Sequence, residues 1–170
     1  MTLKIIGAVL IILACGSVGF QMAAAQRREE KMLESLCGLL DYMECELQYR
    51  MTPLPALCMN IAGQTSGPLK KLFFTLSQEL ESQISPDAQS CMHAALGKCK
   101  GLPQQVTMSL IELGKTLGMF DIDGQLTGLE GSRRVCELRL QSLRLNKDNR
   151  LRGYQTLGLC AGAALVILFI

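Results

Sequence analysis

The strongest constraint on this chain lies at its two ends. Residues 5–25, IIGAVLIILACGSVGFQMAAA, and residues 154–170, YQTLGLCAGAALVILFI, carry no charged side chain. As helices they would be about 31 Å and about 26 Å long, lengths that suit a bilayer's hydrocarbon core, the shorter one with local thinning. Apart from Lys4, every charged side chain lies between Arg27 and Arg152. The mean hydropathy of +0.25, high for a soluble protein, therefore reflects the ends. This pattern predicts a transmembrane helix over 3–25, a polar domain over 26–152 and a second transmembrane helix over 154–170.

The flanking charges orient the domain. Arg27, Arg28 and Lys31 follow the first apolar segment, and Lys147, Arg150 and Arg152 precede the second. Basic residues near membrane ends favour the cytoplasmic side, so the domain is expected there. Two features point the other way. Ala23-Ala24-Ala25 contains a signal-peptidase-like A-x-A pattern. Ile12-Leu13-Ala14-Cys15 loosely resembles a lipoprotein processing box. Either would make the chain an exported lipoprotein or a membrane-tethered interaction domain, but the basic cluster after the apolar run opposes export.

Between the ends, the pattern is helical throughout. Leu33, Leu36, Cys37, Leu40, Met43 and Leu47 recur at helical spacing, so the first helix is expected to continue to about Arg50. Proline and glycine punctuate the rest of the domain. Thr52-Pro53, Ser66-Gly67-Pro68, Ser85-Pro86-Asp87 and Leu102-Pro103 read as helix starts, predicting helices near 53–63, 67–82, 86–98 and 102–118. A last long helix runs from about 122, with Leu126, Leu129, Cys136, Leu140 and Leu143 as its apolar stripe. Leu69, Leu72, Phe73, Leu76 and Leu80 fit one buried face, and Val106, Leu110, Leu113 and Leu117 another. The fold class is all-α: an antiparallel bundle of about six helices, flanked by transmembrane helices at both ends.

One stretch, LGKTLGMFDIDGQ at 113–125, looks like chemistry. Gly114-Lys115-Thr116 matches the tail of a phosphate-binding loop, but Ser109 stands where the loop's first glycine belongs. The leucine spacing also puts the motif inside a helix, where its N–H groups are already bonded. From Asp121 or Asp123 the ligand spacing of a calcium loop fails. The stretch reads better as a corner. Gly118 suits the left-handed end of a helix, and Asp121 or Asp123 suits the next N-cap. Gly114 and Gly118 share a face on which another helix, internal or from a partner, can approach closely. In the second apolar segment, Gly158 and Gly162 form GxxxG, and Gly19 and Ala23 form a small-xxx-small pair in the first. Such faces pair membrane helices, within one chain or between copies as a homo-oligomer.

Other chemistries find little support. The eight cysteines form no C-x-x-C, and His93, the one histidine, stands two residues from Cys91, which is not a zinc spacing. No catalytic, cofactor-binding or metal-ligating set emerges, which argues against an enzyme. In a cytoplasmic domain the thiols stay reduced. A net charge of +2 is too small to imply nucleic acid. Arg133, Arg134, Arg139, Arg144, Lys147, Arg150 and Arg152 outweigh Glu137 and Asp148 over 133–152, a distribution suited to anionic membrane lipids or to a solvated helix face.

Three blocks carry a family resemblance: Glu44-x-Glu46-Leu47-x-Tyr49-x-x-Thr52-Pro53-Leu54-Pro55, Gly67-Pro68-Leu69-x-x-Leu72-Phe73, and Leu113-Gly114-x-x-Leu117-Gly118-x-x-Asp121-x-x-x-Gln125. With an apolar segment at each end, the chain resembles the stage III sporulation protein AB family along essentially its whole length. Ala56-Leu57 departs from the family pattern of a glutamate and a small residue. The resemblance implies a helical domain similar to the F-type platform of type II secretion machines. It also implies a place in the mother-cell membrane facing the forespore, within a transenvelope channel complex needed for endospore formation. The implied partners are other channel proteins and a separate cytoplasmic ATPase, and no cofactor is implied. By that analogy Glu44, Glu46, Tyr49, Thr52 and Pro53 form one candidate contact region, with the two glutamates facing a basic partner surface. Gly114, Gly118, Asp121 and Gln125 form the other.

Overall fold

The structure, a computed structural model, describes residues 2–82, 87–118 and 122–169, with side chains at 21, 22, 24–82, 87–118 and 122–145. Among the described residues the chain forms six helices and no strand: α1 (Thr2–Arg50), α2 (Leu54–Gln64), α3 (Gly67–Ser82), α4 (Ala88–Lys98), α5 (Gln104–Thr116) and α6 (Ile122–Phe169). Ser85, Pro86 and Asp121 lie outside the described residues. Gly19, Ala23, Gly158 and Gly162 lie outside the described side chains, as do most of the two predicted spans. Among the residues that are described, no helix is long and apolar enough to cross a membrane.

The chain divides into two compact units, Lys31–Leu140 and the outer segments Met1–Glu30 with Gln141–Ile170. In the outer unit, Arg144 Nε lies 3.3 Å from the Glu30 carboxylate.

The Lys31–Leu140 unit is a bundle in which α2 packs on α3, α3 on α4 and α4 on α5. Each helix buries one stripe. Leu33, Leu36, Leu40, Met43 and Leu47 supply the α1 stripe, Leu57 and Ile61 that of α2, and Leu69, Leu72, Phe73 and Leu76 that of α3. Met92 and Ala95 come from α4, Val106, Leu110 and Leu113 from α5, and Leu129, Cys136 and Leu140 from α6. Leu80, Leu126 and Leu143, expected in the core, are half-buried. Burying a Leu, Ile or Phe side chain contributes about 1.5–3 kcal/mol, so this continuous stripe set is the main source of stability.

The helix starts are set as the proline–glycine punctuation predicts, with two corrections. Thr52 does not cap α2. Pro53 takes the N-cap place without a side-chain hydrogen bond, and the Thr52 hydroxyl is used elsewhere. At α4 the cap is Asp87, whose carboxylate accepts the Ser90 N–H at 2.7 Å. Those bonds to Ser90 hold the Asp87 carboxyl below its usual range. Gly118 has φ +78, the left-handed conformation that ends α5 and that glycine adopts without strain.

Candidate functional site

The α1–α2 corner holds the first candidate region. Glu46 sits in the last turns of α1 and is only 7% exposed. One carboxylate oxygen takes Arg50 Nη1 at 3.0 Å and the other takes the Thr52 hydroxyl at 2.9 Å. Between those two partners lies Met51 at φ +50, a left-handed conformation that costs a side-chain-bearing residue roughly 1–2 kcal/mol. A single carboxylate thus ties down both neighbours of the strained residue. Strain of this kind persists where its surroundings over-determine it. The outcome is a fixed tip on which Tyr49 is 78% and Met51 68% exposed.

The expectation that Glu44 and Glu46 could meet a basic partner surface is corrected for Glu46. Glu46 is buried and both of its oxygens are engaged within the chain. Glu44 is half-buried and lies 3.8 Å from Arg133 of α6. The largest side chains that this corner offers to solvent are Tyr49, Met51 and Arg50, two bulky hydrophobic residues beside a cation. Pro53 is exposed and Thr52 half-buried.

The second region is an internal packing corner where it is described. A Cβ on Gly114 would lie 2.9 Å from Met92 Cβ, and one on Gly118 would lie 3.1 Å from Ala88 Cβ. The shared face of the two glycines is therefore covered by α4. Lys115 pairs with Glu112 at 2.9 Å, and the Thr116 hydroxyl donates to the Leu113 carbonyl within α5. Gly114-Lys115-Thr116 is helical, as the leucine spacing requires. Asp123 is exposed and Gln125 half-buried in the first turn of α6.

Much of the basic character of 133–152 is spent inside the chain. Arg133 Nε lies 2.8 Å from Asp41 of α1 and 3.0 Å from Glu137. Glu137, then Asp41, hold its guanidinium above its already high range. Arg139 Nη1 donates to the Ser109 hydroxyl at 2.8 Å and to the Gln105 carbonyl at 3.3 Å, clamping α6 to α5. With Arg144 on Glu30, the lipid-facing reading keeps only Arg134 among the described arginines of that stretch, since the charges nearest the end lie outside the described side chains.

Three contacts carry no plain mark in the sequence. Gly128 of α6 lies so close to α5 that a Cβ there would be 2.6 Å from Thr116 Cβ. A faint signal exists: Gly124, Gly128 and Ser132 recur every four residues, a stripe of small residues that lets helices approach. The Arg139 clamp has no signal beyond a basic residue on a helix. Cys37 Sγ and Cys136 Sγ lie 3.1 Å apart across 99 residues, a juxtaposition that no spacing announces.

No group of three or more His, Cys, Asp or Glu side chains is placed to hold a metal among the described residues. His93 is exposed. The described cysteines, Cys37, Cys45, Cys58, Cys91, Cys99 and Cys136, are all free thiols. Cys58 is so deeply buried that its thiol is pushed up to about 12, which leaves it unreactive at neutral pH.

These features define an all-helical bundle whose charged residues mostly build its corners and seams. Comparison with known proteins agrees with that description. The family of stage III sporulation protein AB matches residues 4–170. Stage III sporulation protein AB of Bacillus subtilis (strain 168) is 30% identical over 176 residues, covering 98% of this chain and 98% of that protein. A solved structure of stage III sporulation protein AB (SpoIIIAB) superposes with a TM-score of 0.63 at 22% identity, over 72% of this chain and 98% of that one, a likeness in fold. The chain belongs to the stage III sporulation protein AB family.

Proposed function

We propose that this protein acts in sporulation as a membrane platform subunit of a mother cell–forespore channel complex, coupling a separate cytoplasmic ATPase to channel assembly. Family membership supports the role in sporulation. The apolar segments at 3–25 and 154–170, with basic residues on the domain side of each, support two membrane spans and a cytoplasmic bundle. The observation that carries the platform reading is the tip at the α1–α2 corner. A scaffold needs a rigid exposed contact, and this one holds Tyr49 and Met51 in solvent at the expense of backbone strain. Aromatic side chains supply large contact area at low entropic cost. The partner face that suits the tip is apolar with an acidic edge for Arg50.

Topology is the test, and native Cys45, exposed near the end of α1, reports it without substitution. Intact and permeabilised non-sporulating cells made to express the chain, in which the far side of the membrane faces the medium, are treated with a membrane-impermeant maleimide and Cys45 is read by peptide mapping. Labelling only after permeabilisation is expected. Labelling in intact cells would place the bundle outside, and the exported lipoprotein reading would take over. With topology established, Tyr49→Ala is expected to lower spore yield while leaving the helical content of the purified chain unchanged.

A further inference from the structure

Two thiols face each other across the seam between α1 and α6. Cys37 Sγ stands 3.1 Å from Cys136 Sγ, against about 2.05 Å for a bonded pair, so a shift of about 1 Å joins them. Cys136 is fully buried and its sulfur also lies 3.7 Å from the Leu33 carbonyl. Cys37 is half-buried and therefore within reach of a small reagent. Arg133, Asp41 and Glu137 stand around it. The contact with Cys136 holds the Cys37 thiol below its usual range, while the same contact and burial push Cys136 up. An accessible thiol poised beside a second, resolving thiol is the arrangement found in redox-sensitive cysteine pairs.

We infer that Cys37 and Cys136 are an oxidation site, converted by a small-molecule disulfide into an intramolecular bridge that ties α1 to α6. The Cys37 thiolate attacks one sulfur of the reagent, RSSR. Its S–S bond breaks, one RS⁻ leaves, and Cys37 carries a mixed disulfide. Cys136 then loses its proton, attacks the Cys37 sulfur and expels the second RS⁻. The protein thiols lose two electrons, and RSSR is reduced to two RSH that carry away the two protons. The bridge encloses α2, α3, α4 and α5 in one covalent loop, and thiol reductants reopen it. Cys58 is buried, so it offers solvent no sulfur for the first attack.

The test uses the full chain in detergent micelles, reduced, freed of reductant and exposed to oxidised glutathione at neutral pH. Remaining thiols are then alkylated, and the chain is digested with trypsin and a glutamate-specific protease. Peptides are mapped by mass spectrometry without reduction. The expected product joins the Cys37 peptide to the Cys136 peptide and disappears on adding dithiothreitol. It forms without glutathione accumulating on Cys37, because the resolving thiol is held at high effective concentration. In Cys136→Ser, glutathione is expected to stay on Cys37. Two results on the unaltered chain overturn the inference, so it does not depend on how the variant folds. One is that Cys37 and Cys136 remain alkylatable while Cys45 carries glutathione. The other is that glutathione accumulates on Cys37 with no bridge to Cys136.

Discussion

Gly128 and Gly131 lie three residues apart in the same helix, yet the same substitution is expected to act in opposite directions. A Cβ at 128 would sit 2.6 Å from Thr116 Cβ and 3.0 Å from Thr116 Cγ2, whereas a Cβ at 131 meets nothing within 4 Å. Carbon atoms pack best at about 3.5–4.0 Å, so α5 and α6 must separate by about 1 Å to admit an alanine at 128. The nearest clashing atom is attached to the α5 backbone, and no rotamer change removes it. Overpacking of this kind costs about 1–3 kcal/mol, while replacing glycine by alanine within a helix returns about 1 kcal/mol. Gly131→Ala is therefore expected to stabilise by up to about 1 kcal/mol. Gly128→Ala should lie about 1–3 kcal/mol below it, since helix propensity cancels in the comparison. Urea unfolding of the full chain in detergent, followed by far-ultraviolet circular dichroism, measures both. Thr116→Ala should not rescue Gly128→Ala, because Cβ remains; Thr116→Gly should. If Gly128→Ala proves as stable as Gly131→Ala, the close α5–α6 approach is wrong.

Glu46→Ala removes the acceptor shared by Arg50 and Thr52. It is expected to cost roughly 1–3 kcal/mol in the same unfolding assay, the Arg50 share being small because that side chain is solvated. Faster hydrogen exchange at the Met51 amide should accompany it. The Ser77 hydroxyl is buried in α3 with no hydrogen-bond partner among the described residues, so Ser77→Ala should leave stability unchanged or raise it by up to about 1 kcal/mol. A loss in that experiment would reveal a partner for the hydroxyl. Asp87 has a depressed folded-state pKa, so its contribution is present above the unfolded value and is lost as pH falls through the folded one. Asp87→Asn, which keeps a capping oxygen without the charge, should flatten that acid limb of a stability–pH profile and change little at neutral pH.

The helices are legible in the sequence because the chain marks its breaks with proline and glycine and its faces with leucine. Those are local signals, and α2, α3 and α5 fall within two residues of their expected bounds. Side-chain use is less legible. Glu46 reads as surface because glutamate is rarely buried, and only the fold brings Arg50 and Thr52 around it. Glycine weakens a helix interior, and the sequence around Gly128 does not say that α5 lies against it. Arg133 and Arg139 read as part of a basic face because their partners, Asp41 and Ser109, come from helices far away in sequence. Gly114 and Gly118 announce a close-contact face, but which helix occupies it is a tertiary fact.

The inward turn of Glu46 changes where a partner would bind. In the Glu44–Pro55 block the charges carry the motif to the eye, yet they shape the corner while Tyr49 and Met51 furnish its exposed surface. Shape and contact can then be separated. Glu46→Ala alters the posture of the tip without removing its apolar atoms, and it destabilises the bundle. Tyr49→Ala removes contact area from a side chain already 78% exposed, and the bundle should not register its loss. If the tip is a docking point, both substitutions impair the assembled machine but only the first lowers the stability of the isolated chain. If Glu46 serves the fold alone, stability regained elsewhere raises the spore yield of Glu46→Ala in proportion, and Gly131→Ala, with up to about 1 kcal/mol against a loss of roughly 1–3, should restore part of it. Under the docking reading that second-site gain leaves the yield low, because the tip is still not held in place.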